Sequence, residues 1–407
     1  METVVTSCRI CRSTEIEDVL SLGMMPQVNR FLDAVEPDEP RHPLAIRHCL
    51  ACSHVQLTHA LDPAAIFTDY IYFSSMSETV VRHGEGLAAR YAKELGLSSS
   101  DLVAELASND GCILRPFAAH CRIQGVEPAR NVARVAIDAG IPTHVGFFDG
   151  KTGRELRAAV GPARLIIARN VVAHVPEVVD FIEGAGHWLA DDGILHVEVP
   201  YLREMVRNLE FDTIYHEHLS YFSVAALDRL FAEAGLVLWD VEEIGLHGGS
   251  LIARGRRKGA TPTANVARFL AEERAADARA ELRAFADGTR RLKERIPEVV
   301  RDLRRRGSVV GYGAAAKGVI LANYCGLDRE DLPWVADRSP HKIGKLMPGV
   351  HIPVVDPQRV IDDRPAFVLV LAWNFIDEIE RQLAAHVRAG GRFVVPVPEP
   401  VVREPRA

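Results

Sequence analysis

Short apolar runs alternate with helical stretches twice along this chain, and a strand-free stretch separates the two series. The first series, from about residue 76 to 260, predicts strands at Leu102–Leu106, Ile123–Glu127, Leu165–Ala168, Ile194–Val199 and Leu236–Val241. The second predicts strands at Ser308–Tyr312, Pro333–Ala336, Ala366–Leu371 and Arg392–Val397. Apolar runs of this length between helical patterns are what a mostly parallel sheet, covered on both faces, requires. Between the series, residues 262 to about 306 are charged, with Val266, Phe269 and Leu270 at helical spacing, and read as a helical link. The 407 residues hold more than one core. The expected organisation is a small module over 1–75, a central Rossmann-like sheet over 76–261, and a helical linker plus second Rossmann-like α/β domain over 262–407.

The small module is defined by its cysteines. Cys8 and Cys11 form one C-x-x-C, and Cys49 and Cys52 form another. Two such pairs supply four thiolates in a tetrahedron, the arrangement of closed structural zinc sites, and the metal replaces a core that so short a segment could not build. The 37 residues between the pairs exceed the usual zinc-ribbon loop. Four thiolates leave no open position for water, so the zinc is expected to be structural. The formal charge of −7 argues against general nucleic-acid binding, which needs a basic face. There is no basic-then-apolar leader and no apolar run of bilayer length, so a cytoplasmic protein with no membrane partner is expected. A monomer is the working expectation.

In the central domain the Leu102–Leu106 strand runs into Asn109-Asp110-Gly111, a turn at which backbone can approach a ligand closely. The next strand ends at Glu127-Pro128, where a carboxylate can accept hydrogen bonds from both hydroxyls of a ribose. A pyrophosphate cofactor would want G-x-G-x-x-G. This turn has one glycine and an aspartate, which repels phosphate and suits the cationic end of S-adenosylmethionine.

The motifs ELASNDG, GVEPA, NVVAHVP, YHEHLSYFS, HGGS and GYGAAAKG, in that order, resemble the sugar C-methyltransferases of deoxysugar and antibiotic biosynthesis. The resemblance covers almost the whole chain, including the cysteine pairs. It implies an S-adenosylmethionine site lined by Glu105, Ala107, Asn109, Asp110, Gly111, Glu127, Pro128 and Asn170. Ala107 departs from the glycine found at that position in many methyltransferases.

Methylating carbon requires a carbanion, so a C–H beside a ketone must be deprotonated and the enolate oxygen held. Tyr215-His216-Glu217-His218 concentrates suitable groups. His218 can act as base, Glu217 can orient an imidazole, and Tyr215 can bond the keto oxygen or assist proton transfer; the resemblance favours these roles and adds His174. Alternatively, His216 and His218, on one face of a strand, would be ligands of a second metal. By resemblance Tyr70 or Tyr72 faces the substrate, with His247 and Gly248 lining the site. In the second α/β unit, the Gly-rich turn after Tyr312 has the backbone N–H groups and the Lys317 charge that attract phosphate. Its spacing departs from the dinucleotide fingerprint, so a nucleotide-linked sugar is expected in preference to NAD, with Asp337 and Asn374 as further contacts. The expected reaction is C-methylation of a nucleotide-linked, dTDP-type 4-keto-6-deoxysugar at C3. C5 of the same sugar, a non-sugar acceptor, a base-catalysed epimerase and an NAD-dependent oxidoreductase are the alternatives.

Overall fold

A computed structural model describes residues 3–67, 70, 73–245 and 248–403, with only the backbone of Ala65. Tyr72 and His247 lie outside the described residues. The central sheet has seven strands, in the order Leu236–Ile244, Ser250–Arg257, Leu189–Pro200, Ala163–Arg169, Leu102–Leu106, Arg122–Glu127, Thr143–Val145. Every predicted strand of the first series is present. Ser250–Arg257 runs antiparallel to both neighbours, and the other pairings are parallel. From Leu102–Leu106 the chain first builds outward to Thr143–Val145 and then returns to lay Ala163–Arg169 on the other side. This reversal opens a crevice at the carboxyl ends of those two central strands.

The C-terminal sheet has the order Val354–Val355, Val335–Ala336, Val309–Tyr312, Phe367–Val370, Arg392–Val395, Val401–Arg403, with only the last strand antiparallel. The same reversal recurs here, on either side of Val309–Tyr312, and puts the Gly-rich turn at the crevice.

The N-terminal module is organised by a hairpin that the sequence did not announce. Ile16–Pro26 pairs antiparallel with Arg41–Cys49, from Ile16 opposite Cys49 to Pro26 opposite Arg41. This hairpin occupies most of the long interval between the cysteine pairs, which explains why it exceeds a ribbon loop. Val55–Leu57 adds to Arg41–Cys49, and Ser220–Tyr221 completes the sheet at Val55–Leu57. The last strand comes from the central segment, immediately after the Tyr215–His218 cluster. The zinc module and the strand that follows that cluster thus share one sheet.

The helical stretch is two helices, Ala264–Ala275 and Ala278–Arg304. It is not a spacer. Leu282, Phe285, Leu292 and Ile296 are buried in one apolar cluster with Leu22, Leu44 and Ile46 of the N-terminal module, Met205 and Phe211 of the central segment, and Val319 and Leu369 of the C-terminal unit. The apolar stripe of the long helix is what all three units close upon.

Candidate active site

The four cysteines converge as expected. Their sulfurs all lie within 4.8 Å of one another, with Cys8–Cys52 at 3.5 Å and Cys11–Cys49 at 3.6 Å. Tetrahedral zinc with bonds of about 2.3 Å would put its sulfurs roughly 3.8 Å apart, so the donor set fits the ion. The two knuckles are built alike. Arg12 and Ser53 take left-handed φ of 61° and 59°, and each donates its N–H to the carbonyl of the first cysteine of its pair. Among the described residues this is the one histidine, cysteine or carboxylate cluster with metal-ligand spacing. His216 instead sets its ring edge-on to His42 at 5.8 Å, so the two-histidine metal site is not formed.

At the central crevice, Ala107, Asn109 and Asn170 hold φ of 53°, 51° and 51°, and Gly111 holds 76°. These left-handed residues turn the chain sharply just beyond the ends of the two strands. Gly125 permits the turn to approach, since a Cβ there would lie 2.5 Å from Ser108 Oγ. Asn109 N donates to Glu127 Oε2 at 2.9 Å and Ala129 N to Glu127 Oε1 at 2.8 Å, fixing a carboxylate whose remaining lone pairs suit a ribose. Burial raises the Glu127 carboxyl above its usual range, against those two N–H bonds. Pro128 completes the bend before the Arg130–Asp138 helix. Ser74 N and Ser75 N donate to Asn109 and Asp110, bringing the Ser74–Met76 turn onto the same loop.

Glu105 is buried, and that burial pushes its carboxyl well above the usual range despite Arg169 nearby. Glu105 Oε2 and Asn170 Oδ1 are buried acceptors without hydrogen-bond partners. Unpartnered acceptors among the carboxylates Glu105, Asp110 and Glu127 fit a ligand that brings donors and positive charge, as the ammonium and sulfonium of S-adenosylmethionine do.

The Tyr215–His218 cluster lies where the central segment meets the zinc-module sheet. Tyr215 hydroxyl and His218 Nε2 are 2.7 Å apart, and His218 Nδ1 lies 2.9 Å from the Thr213 carbonyl. A carbonyl only accepts, so Nδ1 carries the proton and Nε2 receives the tyrosine O–H. Thr213 therefore orients the imidazole, a role expected of Glu217. The Glu217 carboxylate is held otherwise, accepting from Asn29 Nδ2 at 2.6 Å and from the Tyr70 hydroxyl at 3.2 Å. Burial lifts Glu217 to about 7, with both hydrogen bonds and the Lys342 charge pulling the other way. His174 packs edge-on to His218 at 4.9 Å and to Phe67 at 5.6 Å. Burial holds it neutral, at about 4, and its Nδ1 has no partner.

The C-terminal crevice corrects two expectations. Lys317 Nζ lies 3.2 Å from buried Glu210 Oε2 and 4.7 Å from the Trp373 ring centre, so its charge is already compensated. A Cβ on Gly248 would lie 2.6 Å from Glu210, so the glycine is a packing requirement of that pair. Tyr312 is buried and donates its hydroxyl to Gln382 at 3.2 Å, within its own domain. Asp337 accepts from Ser339 N at 2.8 Å, and Asn374 lies in the half-buried Trp373–Phe375 turn.

Sequence reasoning missed Asn29, Phe31, Thr213 and Lys342. Lys342 Nζ donates to Ala314 O of the Gly-rich turn at 2.9 Å and lies 5.0 Å from the Phe31 ring centre. Its only sequence signal is its place in the loop after a predicted strand. Asn29 had none beyond lying in an over-long inter-cysteine interval.

Family models match the chain in three blocks: a zinc binding domain over 8–67, a methyltransferase domain over 82–241 and a C-methyltransferase C-terminal domain over 245–398. The C-methyltransferase NovU of Streptomyces niveus is 37% identical over 406 residues, spanning 98% of this chain and 97% of that protein. Among solved structures, an S-adenosylmethionine-dependent methyltransferase of Clostridium acetobutylicum is 8% identical with a TM-score of 0.35, covering 44% of this chain and 92% of that one. Magnesium protoporphyrin IX methyltransferase of Synechocystis with bound SAH is 14% identical with a TM-score of 0.34, covering 44% and 83%. The end-to-end match to NovU, together with the three family blocks, shows that this chain belongs to the S-adenosylmethionine-dependent C-methyltransferases that carry an N-terminal zinc-binding module.

Proposed function

We propose that the enzyme methylates C3 of a nucleotide-linked 4-keto-6-deoxysugar, of the dTDP-linked kind, through an enolate, within antibiotic deoxysugar biosynthesis. The observation that carries this reading is the Tyr215–His218–Thr213 chain. Its tautomer leaves His218 Nε2 as the proton acceptor and places the Tyr215 hydroxyl 2.7 Å from it. The proton from C3 passes to His218 Nε2 by way of the Tyr215 oxygen, a general-base step that a neutral imidazole performs near neutral pH. Neutral His174 faces the same cluster and supplies a hydrogen-bonding group for the keto oxygen, while Tyr70, whose hydroxyl proton is given to Glu217, lines the space for the sugar and offers it an acceptor lone pair. Glu105, Asp110, Glu127 and Asn170 hold the donor. When bound, S-adenosylmethionine supplies the electrophilic methyl group.

The reversed strand order at the Gly-rich turn supports the nucleotide end of the acceptor lying along the C-terminal crevice. Lys342, whose Nζ donates to Ala314 O of that turn, is a second cation there besides Lys317, which is paired with Glu210. Four reduced thiolates suit a cytoplasmic location, and none of the described helices is long and apolar enough to cross a membrane.

The test incubates the protein with methyl-labelled S-adenosylmethionine and dTDP-4-keto-6-deoxysugars, then locates the methyl by NMR. A quaternary C3 is expected. A quaternary C5 would move the site of deprotonation to the other flank of the ketone. Deuterium entering C3 with no methyl transferred would mark an epimerase instead.

A further inference from the structure

We propose that Asn29, carried by the zinc module, is a positioning residue for the methyl acceptor: its amide fixes the Glu217 carboxylate so that the other oxygen holds the Tyr70 hydroxyl at the acceptor cluster. The inference rests on the reading of that cluster as the acceptor site. A zinc module in an enzyme of this size is read by default as a stabilising staple. Here its loop beyond the Ile16–Pro26 strand reaches into the chemistry.

The geometry is specific. Asn29 Nδ2 donates to Glu217 Oε1 at 2.6 Å, a charge-assisted bond that spans 188 positions of sequence. The Tyr70 hydroxyl donates to the other oxygen at 3.2 Å. The loop bearing Asn29 is tied down at several points. Leu32 forms a bridge with Leu346, Phe31 lies under the Lys342 ammonium, and Glu39 accepts from Gly349 N at 2.8 Å and bonds His351 at 3.0 Å. A loop anchored this way can hold an amide to the tolerance that positioning needs.

Glu217 is faced by Asn29 from the zinc module, Tyr70 from the segment before the central domain, and Lys342 from the C-terminal unit. His174 lies against its backbone, and Tyr215, His216 and His218 flank it on its own segment. Hydrogen bonds to the ionised form of a carboxyl favour that form, so losing the Asn29 N–H disfavours it. Once Glu217 is protonated, its hold on Tyr70 loosens.

The test is the pH dependence of methyl transfer in Asn29→Ala and Asn29→Asp. In Asn29→Ala the acidic limb of kcat/KM should move up by about one pH unit, a loss of roughly tenfold below the limb that is recovered above it. Asn29→Asp places a second carboxylate against the first and should move the limb further. Zinc content and S-adenosylmethionine affinity should stay at wild-type values. A loss that is uniform across pH would reduce Asn29 to a loop anchor and overturn the proposal. A readout that needs no acceptor is the infrared titration of the protonated Glu217 carboxyl, assigned with Glu217→Gln. An unmoved midpoint in Asn29→Ala overturns the positioning role. A raised midpoint in an enzyme that methylates no ketosugar sustains the Asn29–Glu217 coupling and sinks the acceptor reading alone.

Discussion

Replacing His218 with asparagine separates the base from its scaffold. The asparagine amide N–H can still donate to the Thr213 carbonyl, which the imidazole Nδ1 now meets at 2.9 Å, but it offers no basic nitrogen to Tyr215. Removal of a general base costs about 10²–10⁴ in rate, or roughly 3–5.5 kcal/mol in the barrier. The structural cost is much smaller. One neutral hydrogen bond, that of the Tyr215 hydroxyl, loses its partner, worth about 1 kcal/mol against a total stability of roughly 5–15 kcal/mol. The variant should therefore fold, retain zinc and bind S-adenosylmethionine with near wild-type affinity, because the donor groups sit on other strands. Turnover measured by label transfer at saturating donor and acceptor should fall at least a hundredfold, and deuterium exchange at the acceptor carbon should fall in parallel. A loss under tenfold would exclude His218 as the proton acceptor. A comparable loss of donor affinity would place the residue on the wrong side of the reaction.

Cys49→Ser should release zinc, measured by metal analysis, and lower the unfolding temperature, because an open tetrahedron can no longer clamp the two knuckles; an unchanged metal content would refute the four-thiolate site. Lys317→Met should destabilise the protein by about 3–5 kcal/mol, since Glu210 is left buried and uncompensated, while affinity for a nucleotide sugar changes little. A large affinity loss in a stable variant would restore Lys317 as a phosphate ligand. Glu217 and Asp212 are carboxyls raised by burial to about 7 and about 6, so the folded state binds protons that the unfolded chain releases. The stability this gives is present at acidic pH and lost as pH climbs from the ordinary carboxyl range through those values. Glu217→Gln should flatten the upper part of that decline in denaturant titrations, and an unaltered slope would refute the shift.

What the sequence made legible follows from where each element is buried. Leu102–Leu106 and Phe367–Val370 are buried at every position and read as apolar runs with little ambiguity. The turn after Leu102–Leu106 could be singled out because Asn109, Asp110 and Gly111 are adjacent in sequence, whereas Ser74, Gly125 and Glu127 reach it from elsewhere in the chain. The Ile16–Pro26 and Arg41–Cys49 hairpin escaped notice for a physical reason. Its register shifts between Asp18 and Leu20 and between Ser21 and Gly23, so the alternation of one face slips out of phase twice. The Tyr215–His218 cluster shows a sharper limit. Tyr215 and His218 are three residues apart and their pairing could be anticipated, but the partner that fixes each remaining charge lies far along the chain. Lys317 read as a free phosphate ligand only because Glu210, 107 positions earlier, was invisible to a local pattern. Asn29 and Glu217 are joined across a still longer interval, through a sheet to which the zinc module and the Ser220–Tyr221 strand both contribute. A local motif can announce which groups do the chemistry. Which of them are already neutralised, and which are left to meet a substrate, depends on contacts that only the closed fold supplies.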